Sequence, residues 1–304
     1  MAGETKQAVV AAVAGNFAIA VTKVIAAALS GSAAMLAEAI HSLVDTGNGL
    51  LMLYGVHRSR KPADEQHPFG YGHEFYFWTL IVGILIFAVG GGMSIVTGMS
   101  HISSPHAPEN TVLSYAVLVI AMAFEGTSWY YGLKAFRAER RGRGILETIQ
   151  ATKNPASFSV LLEDSAALLG LAFALAGIFL AERLAAPWID GASSMLIGVL
   201  LCLMSLVMVY ESKGLLVGEG MEKQTLERLR AMVQADAAVE RVNKLTTMYL
   251  GPEDVVLAIE LRFHSQTRVT DIRASLARLK RAIQERYPRI RRIYLDSSAI
   301  ADEE

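Results

Sequence analysis

The chain has 304 residues, of which 53% are hydrophobic, with 28 Lys and Arg against 29 Asp and Glu. Its mean hydropathy of +0.36 is too high for an ordinary soluble domain and fits a polytopic membrane protein whose first partner is the lipid bilayer. The net charge of −1 offers no basic field for nucleic acid. The single cysteine, Cys202, excludes an internal disulfide and a cysteine-based zinc cluster, and it reads as packing.

The N-terminal stretch lacks the short apolar core and small-residue cleavage pattern of a secretory signal, so it reads as a retained first span. Spans need roughly 17–25 mostly apolar residues. Six are expected, at about 7–30, 33–56, 76–100, 112–135, 157–182 and 190–215. A tight Gly31-Ser32 turn joins the first two. From residue 218 the chain becomes polar and rich in Lys and Arg, with no run long enough to span. There MEKQTLERLRAMVQAD reads as an amphipathic helix, VERVNKLTTMYL and VVLAIELRFH as strands around a Gly251-Pro252 turn, VTDIRASLARLKRAIQERY as a second helix stopped by Pro288, and IRRIYLDS as a last strand. The expected fold is therefore an all-α six-helix transmembrane bundle over 1–217, followed by an α-β-β-α-β sandwich over 218–304. Arg58, Arg60 and Lys61 in one loop, and Arg137, Arg140, Arg141, Arg143 and Lys153 in another, face opposite loops that hold only Arg183. The positive-inside rule then places both termini in the cytoplasm.

Polar residues inside the spans carry the chemistry. The second span contains Glu38, His41 and Asp45 within eight residues. An ionisable group at bilayer depth costs at least ~2.5–3.5 kcal/mol, so it is rare and usually functional. Positions i, i+3 and i+7 share one helical face, and His41 and Asp45 lie one turn apart, where they can hold one ion. An imidazole beside a carboxylate at that depth points to a divalent metal crossing the membrane. The fourth span contains Glu125 and the fifth the neighbours Glu163 and Asp164. Adjacent helical residues point about 100° apart. Asp164, followed by small residues, is assigned inward, and Glu163 to a neighbouring face. Counting ~1.5 Å per residue puts Asp45 ~18 Å from the outer end of its helix and Asp164 ~12 Å from the inner end of its own, so the two meet near the middle of a ~30 Å core. Glu38 reads either as a pathway residue or as an interhelix hydrogen-bonder, and Glu125 and Glu163 carry the same pair of readings. The loop PADEQHPFGYGHE (62–74) brings Asp64, His67 and His73 close in sequence, as a second metal site or as a re-entry loop shaped by its Pro and Gly. His57, His101 and His106 fall at span ends or in loops and read as solvated, and His264 stands alone at a strand end.

Together these residues resemble the cation diffusion facilitator family of zinc/proton antiporters. The segments GSAAMLAEAIHSLVD (31–45) and RSRKPADEQHPFGYG (58–72) are the most specific. The subgroup resembled holds the mitochondrial-type zinc exporter and its bacterial relatives. The resemblance implies a metallochaperone-like cytoplasmic domain and a transport site built from a His/Asp-xxx-Asp pair on each of two helices. His41 and Asp45 fit the first pair. Asp164 fits the second, but Val160 one turn earlier cannot bind metal, so water, Glu163 or another polar group would complete the shell. Fewer imidazoles open the site to manganese, iron, cobalt or cadmium beside zinc. In the loop, Asp64 and His67 match family ligands, Tyr71 stands where a His is expected, and His73 is the substitute. Asn243, Ile259 and Leu295 replace tail ligands, leaving only Asp296, so the tail is expected to dimerise and to bind little or no metal. The implied function is a secondary active, non-enzymatic transporter, a homodimer through the tail and the transmembrane helices. It would export zinc from the cytoplasm in exchange for protons, in a bacterial inner membrane. A membrane metalloenzyme would need an open metal position and a general base, and no HExxH pattern occurs. A metal sensor would need an output module that the tail lacks.

Overall fold

The turn between the first two helices shows how local chemistry sets the membrane portion. α1 (Ala2–Ser30) ends where Gly31 takes φ +64°, a left-handed conformation natural to glycine, and its N–H donates to Ala27 O at 2.9 Å. Ser32 then accepts the Met35 N–H at 3.0 Å on its hydroxyl and starts α2 (Ala33–Ser59). The expected Gly31-Ser32 hairpin is thus formed. The computed structural model describes residues 2–140 and 155–296. Arg141, Arg143 and Lys153 of the basic loop lie outside the described residues, as does the Val160 side chain.

Four more long helices follow: α3 (His73–Ser103), α4 (Thr111–Arg140), α5 (Pro155–Arg183) and α6 (Trp188–Val217). Helices therefore fall on all six stretches expected to span. Among the described residues, four segments are long and apolar enough to cross a membrane: His73–Ser103, Thr111–Lys134, Leu161–Arg183 and Trp188–Val217. The described apolar part of α1, Gly15–Ser30, is shorter, and α2 interrupts its apolar run with Glu38, His41, Asp45 and Asn48.

α3 is continuous but changes pitch. Between α-helical arms it runs as a π-helix over Ile86–Gly92, which ends in three glycines. Glycines also set its contact with α6. A Cβ on Gly98 would lie 2.5 Å from Gly191 O, and one on Gly191 would lie 2.8 Å from Gly98 O. Gly91 and Gly198 make the same kind of approach one turn-pair along, beside Cys202. Ser194 Oγ donates to Ser94 O at 2.8 Å. Small residues let the backbones close to van der Waals contact, the usual source of helix adhesion where lipid is as apolar as leucine. Cys202 packs here as expected, its Sγ 3.8 Å from Phe87 O. Met35, Leu118, Leu171, Ile197, Leu201 and Met208 are buried in the shared core of the helices.

The chain forms two compact units, Met1–His57 with Phe77–Lys213, and Arg58–Tyr76 with Gly214–Glu304. The second contains α7 (Lys223–Gln234), β1 (Val239–Gly251), β2 (Asp254–Phe263), α8 (Val269–Arg286) and β3 (Ile290–Asp296). That is the α-β-β-α-β order read from the alternation of hydrophobic periods. The sheet runs β1-β2-β3, antiparallel across the Pro252 turn and parallel between β2 and β3, where α8 makes the crossover. Val255, Leu257, Ile259 and Leu261 alternate inward along β2 and are buried, as are Leu229 and Val233 of α7 and Leu279 and Ile283 of α8. The loop 58–76 belongs to this unit. Arg292 donates to Phe69 O at 2.9 Å and stacks over its ring, and Gly72 lies so close to Leu250 O that a side chain would overlap it.

Candidate metal site

α2 presents the polar residues. His41 Nε2 lies 3.4 Å from Asp45 Oδ2, with side-chain exposures of 3% and 21%. Among the described residues, neither ring nitrogen of His41, nor Asp45 Oδ1, nor either side-chain polar atom of buried Asn48 has a hydrogen-bond partner. A buried polar atom without a partner costs about 1–3 kcal/mol, so this concentration on one helix face is costly unless a cation serves it.

Asp45 opens onto a cavity of about 190 Å³ that Ser42, Glu125, Ser128, Glu163 and Asp164 also line. The structure thus brings Asp45, Asp164, Glu163 and Glu125 around one space, with His41 beside Asp45. Asp164 accepts a hydrogen bond from Ser128 Oγ at 2.7 Å. Trp129 Nε1 donates to Ser165 Oγ at 2.9 Å and further ties α4 to α5. Glu163, assigned to a face neighbouring that of Asp164, lines the same cavity, because the space spreads between helices and can be reached by adjacent side chains about 100° apart. Among the described residues no three His, Cys, Asp or Glu side chains stand close enough to grip one ion. His41 and Asp45 are paired, and Asp164 faces the same cavity without being part of a closed shell.

Glu38 has a different partner. Lys23 of α1, fully buried, donates from Nζ to Glu38 Oε2 at 2.9 Å and to Ser42 Oγ at 2.8 Å. The other Glu38 oxygen lies against Gly170 of α5, where a Cβ would overlap it. Glu38 thus makes an interhelix bond, the second of its two readings. The sequence reading passed over Lys23, although a lone cation in an apolar span is itself the signal, because it needs an acid from another helix.

The loop cluster assembles in part. Asp64 Oδ1 accepts the His67 N–H at 2.7 Å and lies 3.4 Å from His67 Nδ1, while Tyr71 donates its hydroxyl to Asp64 Oδ2 at 2.6 Å. The Tyr71 hydrogen bond, with that from the His67 backbone behind it, holds the Asp64 carboxyl below its usual range, and the same bond raises the Tyr71 hydroxyl. The His67 and Tyr71 rings stack at 4.2 Å. His73 does not join Asp64 and His67 in a common grip. It starts α3. Tyr71 therefore occupies the carboxylate that a third ligand would share.

Residues 9–217 match the cation efflux transmembrane domain model. Metal tolerance protein C4 of Arabidopsis thaliana is 29% identical over 78% of this chain and 52% of its own length. The mitochondrial proton-coupled zinc antiporter SLC30A9 of Xenopus laevis is 29% identical over 79% of this chain and 44% of its own. The manganese efflux system protein MneP of Bacillus subtilis is 24% identical over 89% of this chain and 83% of its own. The chain thus spans about half the length of the first two relatives. With more than half the chain matched by the family's domain, and with relatives of these names, the protein belongs to the cation diffusion facilitator family of membrane cation efflux transporters.

Proposed function

We propose that the protein is a secondary active transporter of divalent metal, exporting zinc from the cytoplasm in exchange for protons. The observation that carries this reading is buried His41 beside Asp45, 3.4 Å apart, with Asp45 opening onto a cavity that Asp164 lines from another helix. Metal needs neutral imidazole and ionised carboxylate, so protons compete for the same lone pairs. Binding a proton on one side and a metal ion on the other couples the two flows when the helices rock around a fixed midplane site. Asp164 approaches the ion in that motion and completes the shell with Glu163 or water.

The topology belongs to the same proposal: six spans, both termini cytoplasmic, a membrane portion to about residue 217 and a C-terminal unit that pairs two protomers in a bacterial inner membrane. A second substrate reading is favoured by the donor set. Four carboxylates and one imidazole lie at or beside the cavity, and oxygen-rich shells suit manganese better than zinc. One of the similar proteins is named for manganese efflux. The test is metal-driven proton flux in proteoliposomes, with a panel of divalent ions and an imposed pH difference. Asp45→Ala is expected to reduce flux to that of empty liposomes, and full flux in that variant would remove the site.

A further inference from the structure

A second His–Asp pair lies at the helix ends remote from His57 and Lys213. His101, near the end of α3, is buried, with its Nε2 3.7 Å from Asp190 Oδ2 and side-chain exposures of 3% and 0%. Among the described residues, the buried His101 Nε2 has no hydrogen-bond partner. Asp190, in the first turn of α6, accepts Ser32 Oγ at 2.7 Å on Oδ1 and the Ala33 N–H on Oδ2. Two carboxylate oxygens offer about four lone-pair sites, so capacity remains. The His106 ring lies 4.2 Å from that of His101, its Nε2 3.0 Å from Gly31 O. A cleft of about 520 Å³, lined by Thr97, Ser100, His101 and His106 among others, opens here.

We propose that His101 and Asp190 form a second, weaker site for a divalent transition-metal ion, an exit seat that the ion occupies after leaving His41 and Asp45. This rests on the transport reading. At 3.7 Å the His101 nitrogen and the Asp190 oxygen are too far apart to share a hydrogen bond, and a cation seated between them would serve both. Metal–ligand bonds of about 2.1 Å set two ligands of one ion roughly 3.3–3.8 Å apart, which the 3.7 Å separation meets. The chemistry repeats that of His41 and Asp45 at 3.4 Å. Among the described residues no third His, Cys, Asp or Glu completes the grip, and His106 joins by turning its ring from Gly31. A two-ligand seat suits a station that an ion must also leave. Asp190 also caps the first turn of α2, the helix that carries His41 and Asp45, so an ion drawing on Asp190 competes with that cap.

The test is equilibrium binding of zinc and of cobalt to the full chain in detergent, with His41→Ala and Asp45→Ala together to silence the first site. One ion per chain is expected to remain, held at least about tenfold more weakly than by the parent protein, and lost on adding His101→Ala. His101→Gln, which keeps polarity and bulk, guards against misfolding. It is expected to lose the ion while eluting as a single species like the parent. No residual ion, or a residual ion indifferent to both His101 variants, overturns the proposal. Because binding rather than flux is read, the result is independent of the Asp45→Ala flux test.

Discussion

Glu38 and Asp45 lie seven residues apart on α2, and the molecule treats them in opposite ways. Glu38 is locked to a resident cation, Lys23, with both side chains fully buried. Asp45 has His41 beside it and opens onto a cavity that Glu125, Glu163 and Asp164 also line. A carboxylate inside the helices must be matched by positive charge or protonated, because desolvation costs several kcal/mol per ion. At Glu38 the match is covalently part of the protein and permanent. At Asp45, in the function proposed above, it is left to a cation that comes and goes. The difference separates scaffold from site more sharply than depth or helix face does.

Substitutions around the two acids should sharpen that contrast. The largest effect is expected at Asp164, where Asp164→Ala should stop metal-driven proton flux in proteoliposomes while leaving thermal stability in detergent near that of the parent. Lys23→Met should do the reverse. It leaves Glu38 buried and unpaired, which costs about 3–5 kcal/mol, read as a lowered unfolding midpoint. Lys23→Met with Glu38→Gln removes both charges and should recover most of that loss. If the double variant is as unstable as the single, the pair is not the tether described.

A smaller effect is expected at the α3–α6 contact. Gly91→Ala puts a methyl group against Cys202 Sγ and Gly198 O, and overpacking of this kind costs about 1–3 kcal/mol. Adding Cys202→Ala should restore part of it, and no recovery would place the strain on the backbone. The smallest effect is expected in the loop. Tyr71→Phe removes the hydrogen bond that lowers the Asp64 carboxyl, so Asp64 should titrate at higher pH by NMR. The sign follows from the lowered folded value. The stabilisation is present above the carboxylate range of the unfolded chain and lost as pH falls through the folded one. The melting difference between parent and Tyr71→Phe should therefore close in acid, and a difference that persists there would remove Asp64 from the explanation.

The helices and the order of the sheet unit were legible because periodicity records which faces meet apolar surroundings. The paired His41 and Asp45 were legible because helical spacing alone makes them neighbours. What the sequence hid depends on more than one helix. Lys23 finds Glu38 only when α1 and α2 pack, and the placement of Glu163 depends on a cavity whose width no spacing rule encodes. His101 reads as a solvated span-end residue until the first turn of α6 brings Asp190 to cover it. Tyr71 looked like a missing ligand, and the fold shows it in direct competition for Asp64.

The central claim is that a travelling cation supplies the charge that Asp45 lacks. The most direct measurement is a structure of the protein soaked in zinc or manganese, with the ion located by its anomalous scattering. The account predicts a peak within bonding distance of His41 Nε2 and an Asp45 oxygen, on the side of the cavity that faces Asp164. A fully occupied ion elsewhere in the helices, with the His41–Asp45 pair undisturbed and empty, would contradict it.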